Sequence, residues 1–165
     1  SLLNIVDDPY IAQAYASSPF DGEGVACQRR AIVENGVVRG YFLSAYSARK
    51  LGLQSTGNAG GNHNLLVTPT IKGDTATLAK QMGRGLIVTE LMGQGVNAVT
   101  GDYSRGAAGF WVEGGEIAYP VAEITIAGNL LDLYQRIVAI GDDIDRRGSK
   151  HVGSMLIESM HIAGS

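Results

Sequence analysis

The chain is poorest in sulfur chemistry and in aromatics: 165 residues carry one cysteine, Cys27, one tryptophan, Trp111, and three phenylalanines. One cysteine excludes an intramolecular disulfide framework and fits a reducing, cytoplasmic setting. No apolar run approaches the ~18 residues of a membrane span, and no charged-then-apolar signal segment opens the chain. A cytoplasmic location without membrane contact is therefore expected. Charge of one sign is also scarce. The net charge is -3, and the basic residues are scattered apart from pairs such as Arg29-Arg30 and Arg146-Arg147. That pattern leaves no electrostatic footprint for nucleic acid, and direct nucleic-acid binding is not expected. No repeat of solenoid length is visible.

Glycine is what the sequence has in excess, 23 residues against 4 prolines, with 45% hydrophobic content overall. The glycines follow no collagen period and sit among apolar segments, which favours a β-rich fold with many tight turns. The length suits one domain with a real core. The fold class expected is α+β, mainly β, an antiparallel sheet or barrel-like arrangement with two or three helices. The chain opens at Ser1 rather than Met, as a fragment of something longer would.

Residues 1–19 lack a period and are punctuated by Pro9 and Pro19, so they read as a connecting arm with at most short structure; residues 20–165 form the domain proper. Val25–Val33 and Val37–Leu43 are strand candidates joined at Asn35-Gly36, a strong hairpin signal. Ser44 precedes a short helix over Ala45–Leu51 that Gly52 ends. Leu65–Ile71 looks like a strand, placed at an edge by Pro69. Asp74 or Thr75 caps a helix over Thr75–Met82, and Gly85–Leu91 is expected as a buried strand.

The most informative stretch runs from Gly93 to Asp132. Thr100–Arg105 reads as a polar loop feeding a strand over Gly106–Val112. Gly114-Gly115 reverses the chain, because both tolerate positive φ. Val121–Ile126 then alternate, with Ala122, Ile124 and Ile126 on one face and Val121, Glu123 and Thr125 on the other. Asn129 caps an apolar helical period carried through Ile140, with Leu130, Leu133, Tyr134 and Ile137 as core and Gly141 as its stop. Ser154–Ile162 is a final strand. Trp111, in a glycine-flanked strand, is expected to be largely buried.

Motifs that tempt are weaker than they look. Gly93-Gln94-Gly95-Val96-Asn97-Ala98 matches half of a dinucleotide fingerprint, but Thr100, Gly101, Asp102, Ser104 and Gly106 break the helix it needs, so a plain turn is expected. Ser104 in DYSRG only loosely resembles a nucleophile elbow. His63, His151 and His161 lack the spacing of a helical zinc site and read as loop imidazoles, although a spatial cluster of His63 and His151 with a carboxylate stays open. Asp21 and Glu23 could pair for acid-base work, but their setting reads more simply as a turn.

The strings SPFDGEGV, SARKLGLQSTGNAGG, GLIVTELMGQGVNAVTGDYSRGAAGFWVEGGEIAYPVAEITIAGNL and SMLIESMHIAG closely resemble the C-terminal domain of the TldD/PmbA family, on its PmbA (TldE) side. The likeness extends over nearly the whole chain. It implies a bacterial cytoplasmic role in peptide processing: maturation of a peptide antibiotic precursor, antitoxin degradation and modulation of DNA gyrase inhibition. TldD-type subunits carry an H-E-x-x-x-H motif in an earlier domain and a cysteine in a late G-x-C-G-K segment, which together resemble a zinc protease site. This chain has neither, and a serine stands in the nearest counterpart, Arg147-Gly148-Ser149-Lys150.

The resemblance therefore implies the C-terminal domain of the non-zinc subunit of a metallopeptidase. No catalytic residue and no metal ligand are expected in this chain. Zinc is expected in a TldD-like partner, with peptide substrates and a homo- or hetero-oligomeric assembly. A passive oligomerisation or peptide-binding domain is the alternative. Gly60, Gly61 and Asn62 in the loop Ser55–Asn64, and Ser104 and Arg105 in Thr100–Gly109, are the candidate substrate-binding positions, since glycines there permit close backbone approach.

Overall fold

The computed structural model describes residues 2–164. Among them the elements run β1 (Ile5–Asp8), β2 (Arg30–Glu34), β3 (Val37–Val38), α1 (Ala45–Leu51), β4 (Asn64–Val67), α2 (Thr75–Met82), β5 (Gly85–Met92), β6 (Asp102–Glu113), β7 (Glu116–Asn129), α3 (Leu130–Gln135), β8 (Ile137–Ile140), β9 (Lys150–His151), β10 (Met155–Ile157) and β11 (His161–Ala163). The chain is α+β and mainly β, as composition suggested, and no sheet among the described residues closes into a barrel. It divides into two compact units: Ser1–Pro69 with Ile144–Gly153, and Thr70–Asp143 with Ser154–Ser165.

The first unit is built on a five-stranded sheet of order β3-β2-β1-β4-β9. Residues 1–19 supply its middle strand, since β1 pairs antiparallel with both β2 and β4. The Asn35-Gly36 hairpin forms as the sequence suggested, with φ of 50° and 73° at the two turn residues, the positive values a twisted two-residue hairpin requires. Its strands are shorter than Val25–Val33 and Val37–Leu43 because residues 25–29 and 39–43 leave the ladder for side-chain-anchored loops. β4 is not an edge: β9 adds to it in parallel, and Pro69 lies beyond its last residue. Helix α1 matches expectation. Ser44 and Ser47 form a reciprocal capping box, and Gly52 closes the helix in the left-handed conformation.

The second unit is organised by a four-stranded antiparallel sheet of order β11-β7-β6-β5, with β10 and β8 paired separately. Gly114 and Gly115 make the β6-β7 reversal at φ of 60° and 82°. Ala107, Ile124 and Ile126 form the buried centre, packed by Leu86, Tyr103, Val121 and Met160. Leu78, Met82, Leu86, Leu133 and Ile137 contribute to the lining of an apolar cavity of about 640 Å³.

Several sequence expectations fail here for one reason, tertiary pairing overriding local pattern. The helix expected to reach Ile140 stops at Gln135, and Ile137–Ile140 becomes β8 against β10. Three of those four residues are β-branched and stiff at χ1, which costs little in a strand. Leu133 and Ile137 are core, Leu130 is half-buried and Tyr134 is exposed. β5 is an edge strand whose second half is exposed, not a buried one. Ser154–Ile162 splits into β10 and β11. The alternation along β7 breaks because Glu123 takes φ 56°, which leaves Ala122 exposed and Val121 half-buried. Trp111 is half-buried, its ring under the Arg84 guanidinium at 5.7 Å.

Departures from regular pairing coincide on both sides of β6 at Ala108, and β7 carries a further one opposite Trp111 and Val112. β5 carries one extra residue, Thr89, between the pairs Val88↔Gly109 and Glu90↔Ala108. β7 carries an extra residue too, with Ala122 and Glu123 both falling between Ile124↔Ala107 and Val121↔Gly109. Bulges on both neighbours thus meet at one residue of β6. Gly109 makes that possible, since a Cβ there would lie 1.8 Å from the Ile87 carbonyl oxygen.

Candidate functional site

The chemistry-bearing side chains of the first unit converge beneath the loop Ser55–Asn64. Asp7 sits mid-strand in β1 with no exposure. Its Oδ1 accepts from the His63 amide at 2.8 Å, and its Oδ2 lies 3.1 Å from His63 Nδ1 and accepts from Asn58 Nδ2 at 2.9 Å. A carboxylate accepts only, so Nδ1 carries the ring proton and Nε2 is left as the acceptor. Cys27 Sγ stands 3.1 Å from that Nε2. The order thiol, imidazole, carboxylate is that of an activated nucleophile.

Burial decides against that reading. Cys27 is 1% exposed, and desolvation, with Asp21 and Asp7 adding negative charge nearby, pushes its pKa up. A thiol held protonated and sealed from solvent is a hydrogen-bond donor, not a nucleophile. The cluster does not fit zinc either. His63 turns opposite ring nitrogens to Cys27 and to Asp7, so the three cannot meet on one ion, and no group of three His, Cys, Asp or Glu among the described residues could hold a metal.

Asp21 fastens the same loop from the other side. It accepts from the Glu23, Val25 and Ala59 amides, each at 2.9 Å. The Ala59 amide foremost, with the other two, holds its carboxyl below the usual range in spite of burial. Glu23 Oε2 accepts from the Ala45 amide at the start of α1. Asp21 therefore shapes a turn, as the simpler reading of the sequence had it, and Glu23 adds a cap to α1 that the sequence did not suggest. Gly57 closes the cluster. A Cβ there would lie 2.7 Å from the Ala26 carbonyl oxygen, so the loop packs backbone against backbone.

The other candidates are less connected. His151 is buried and lies 3.1 Å from the Gly148 carbonyl through Nε2. It does not join His63, and both rings are buried rather than the partly exposed loop imidazoles expected. His161 stands on β11. Gly60 and Gly61 take φ of 111° and 112° with open space where side chains would be, and Asn62 donates to the His63 carbonyl. In the second unit, Ser104 is an exposed residue of β6 rather than a turn nucleophile. Arg105 donates from Nη2 to the Leu91 carbonyl at 3.3 Å. The glycine motif at Gly93 opens no helix: the Val99 and Thr100 amides donate to Asn97 Oδ1 in a side-chain-supported turn.

Sequence reasoning missed Asp7, Asn58 and the pairing of Cys27 with His63. Asp7 lay inside an unpatterned arm, and the sequence separations of 56 and 36 residues carry no local signal.

Residues 1–164 match the family description PmbA/TldA metallopeptidase C-terminal domain. A Haemophilus influenzae protein named metalloprotease PmbA homolog is 55% identical over 98% of this chain and 36% of its own length. Metalloprotease PmbA of Escherichia coli O157:H7 is 56% identical, with the same coverage of both chains. The crystal structure of a Thermotoga maritima protein described as a modulator of a DNA gyrase superposes with a TM-score of 0.88 at 39% identity, over 98% of this chain and 39% of that one. The chain thus spans about a third of the length of the curated relatives it matches. On the extent and identity of these matches, it belongs to the PmbA/TldD metallopeptidase family, as the C-terminal domain.

Proposed function

We propose that this chain is the C-terminal domain of the TldE-like, non-zinc subunit of a metallopeptidase, paired with a TldD-like subunit that holds the zinc. The observation that carries the reading is how the buried polar side chains of the first unit are used, with no group of three possible metal ligands among the described residues. Asp7, His63, Cys27 and Asn58 spend their polar atoms on each other, which leaves no convergent set of ligands for a metal that would polarise a carbonyl or activate water. In this reading the chain contributes assembly and a surface for an extended peptide. The peptide is an unstructured chain such as a precursor or a degradation substrate, and the setting is the cytoplasm.

Strand edges suit that task. β5 borders the second sheet, with Val88, Leu91 and Met92 exposed along it. Strand addition binds peptides through main-chain hydrogen bonds, with alternate side chains giving modest selectivity. The test is elemental analysis and peptidase assay on the chain alone and with a TldD-like subunit. The expected result is no stoichiometric zinc and no activity alone, with co-purification and activity once the partner is added. One zinc per chain surviving dialysis would overturn the assignment.

A further inference from the structure

We infer that a cavity of the first unit, about 400 Å³ and lined by Arg30, Arg39, Gly40, Tyr41, Gln54 and Thr56 among others, is a binding site for a monocarboxylate with a short apolar body. The inference does not depend on the metallopeptidase reading.

Arg30 carries the argument. Its guanidinium is always charged and offers five N–H donors. Nη2 donates to the Tyr41 carbonyl at 3.0 Å and to Asn58 Oδ1 at 2.9 Å, both neutral acceptors. Nε is buried without a hydrogen-bond partner among the described residues. Nη1 lies beside Gly40, where a Cβ would come within 3.0 Å of it, and makes no hydrogen bond among the described residues. No Asp or Glu there pairs with Arg30 within 4.0 Å. Nε is sealed from the cavity, so Nη1 is the unpaired donor a ligand there would meet, on a partly buried cation with no anionic partner among the described residues.

The same wall sets the class of anion. Arg39, the other cation lining the cavity, already pairs through Nε with Glu34 Oε2 at 3.0 Å. One positive charge is therefore uncompensated, which matches a carboxylate and underserves a phosphate dianion. Val38, Leu43 and Leu53 also line the cavity, giving an apolar body a place beside the charged end. The occupant can be a free short-chain acid or the C-terminal residue of a peptide, since both present this chemistry. Arg30 is also the outer end of a relay: Asn58 passes its contact to Asp7, and Asp7 passes it to His63 and Cys27.

The experiment is amide NMR titration of the purified chain, following Gly40, Tyr41 and Thr56. The probes are 3-methylbutanoate, acetyl-Ala-Leu with a free carboxylate, acetyl-Ala-Leu amide and inorganic phosphate. Either or both acids should shift these amides, more strongly at low salt, and the amide should not. Arg30→Gln should weaken acid binding about tenfold or more, as the loss of a charged hydrogen bond predicts. Because that change also cuts the Tyr41 and Asn58 contacts, Gly40→Ala is the second arm. It places a methyl against Nη1 while leaving the Arg30 side chain chemically intact, and should block the acids in a folded chain. Binding of 3-methylbutanoate and the peptide acid alike identifies a site for any short acid, and binding of only the peptide identifies a chain-end site. The inference is overturned if no acid binds, if acid and amide bind equally, if phosphate binds more tightly than the acids, or if Gly40→Ala leaves acid binding unchanged.

Discussion

Asp7 in β1 and Ala107 in β6 are both fully buried at mid-strand, and they are held by opposite means. Around Ala107 the neighbours are Ile124, Ile126, Leu86 and Val121, groups that need only fit. Around Asp7 they are the His63 amide and ring and the Asn58 amide, groups that must each find a partner of the right polarity. Apolar packing tolerates changes of shape within limits, whereas a buried polar network is costly once one member is wrong. The two units should therefore fail differently.

The largest contrast should come from Asp7→Ala, which leaves three donors buried and unpaired and should cost about 3–5 kcal/mol. Amide exchange should show protection lost at β1 and β4 ahead of β6 and β7. Ile124→Ala should cost somewhat less, about 3 kcal/mol, with the order of lost protection reversed. Conservative variants sharpen the difference. Asp7→Asn keeps the volume but turns an amide donor toward donors, and should destabilise more in urea titration than Ile124→Val, at about 1 kcal/mol.

Two smaller effects depend on pH. The folded-state pKa of Asp21 is depressed, so its contribution is present above the ordinary Asp value of 3.8 and is lost as pH falls through the lower folded value. Acid titration should release the Ala59 amide to exchange below that value, and Asp21→Asn should flatten the dependence. The folded-state pKa of Cys27 is raised, so its contribution is complete below the ordinary thiol value of 9.0 and fades as pH rises beyond it. A thiol reagent should react slowly with the native chain at neutral pH and rapidly in denaturant. Fast native labelling would show a nucleophile where the structure has a sealed donor.

What was legible in the sequence was whatever local chemistry determines. Ser44 and Gly52 bound α1, Asp74 caps α2, Asn35-Gly36 turns the first hairpin and Gly114-Gly115 the second. What depended on distant partners was not. Ile137–Ile140 is helical by period and a strand by virtue of β10. Residues 1–19 have no pattern because β1 pairs on both sides and one of its four positions, Asp7, answers to His63 and Asn58 rather than to an apolar face. The candidate site divides the same way. Glycine-rich loops pointed to Gly60, Gly61 and Asn62, close to the buried network, while Cys27 and His63 looked solitary because nothing local joins them.

The two bulges that meet at Ala108 amount to a register lock. Over the same span β5 and β7 each carry one residue more than β6, a surplus of about 3.3 Å of chain on either side, which has to be taken up as bending and extra twist at that level. Sliding either neighbour of β6 by one residue would move its surplus away from Ala108, and a slip of β5 would also bring the Ile87 carbonyl against a residue other than Gly109, where a Cβ leaves no room. A strand slip would also exchange the buried and exposed faces of the moving strand. The alignment of a sheet that leaves Leu91 and Met92 in solvent is thus keyed on both sides of Ala108, so the edge strand can present its side chains outward without its pairing drifting.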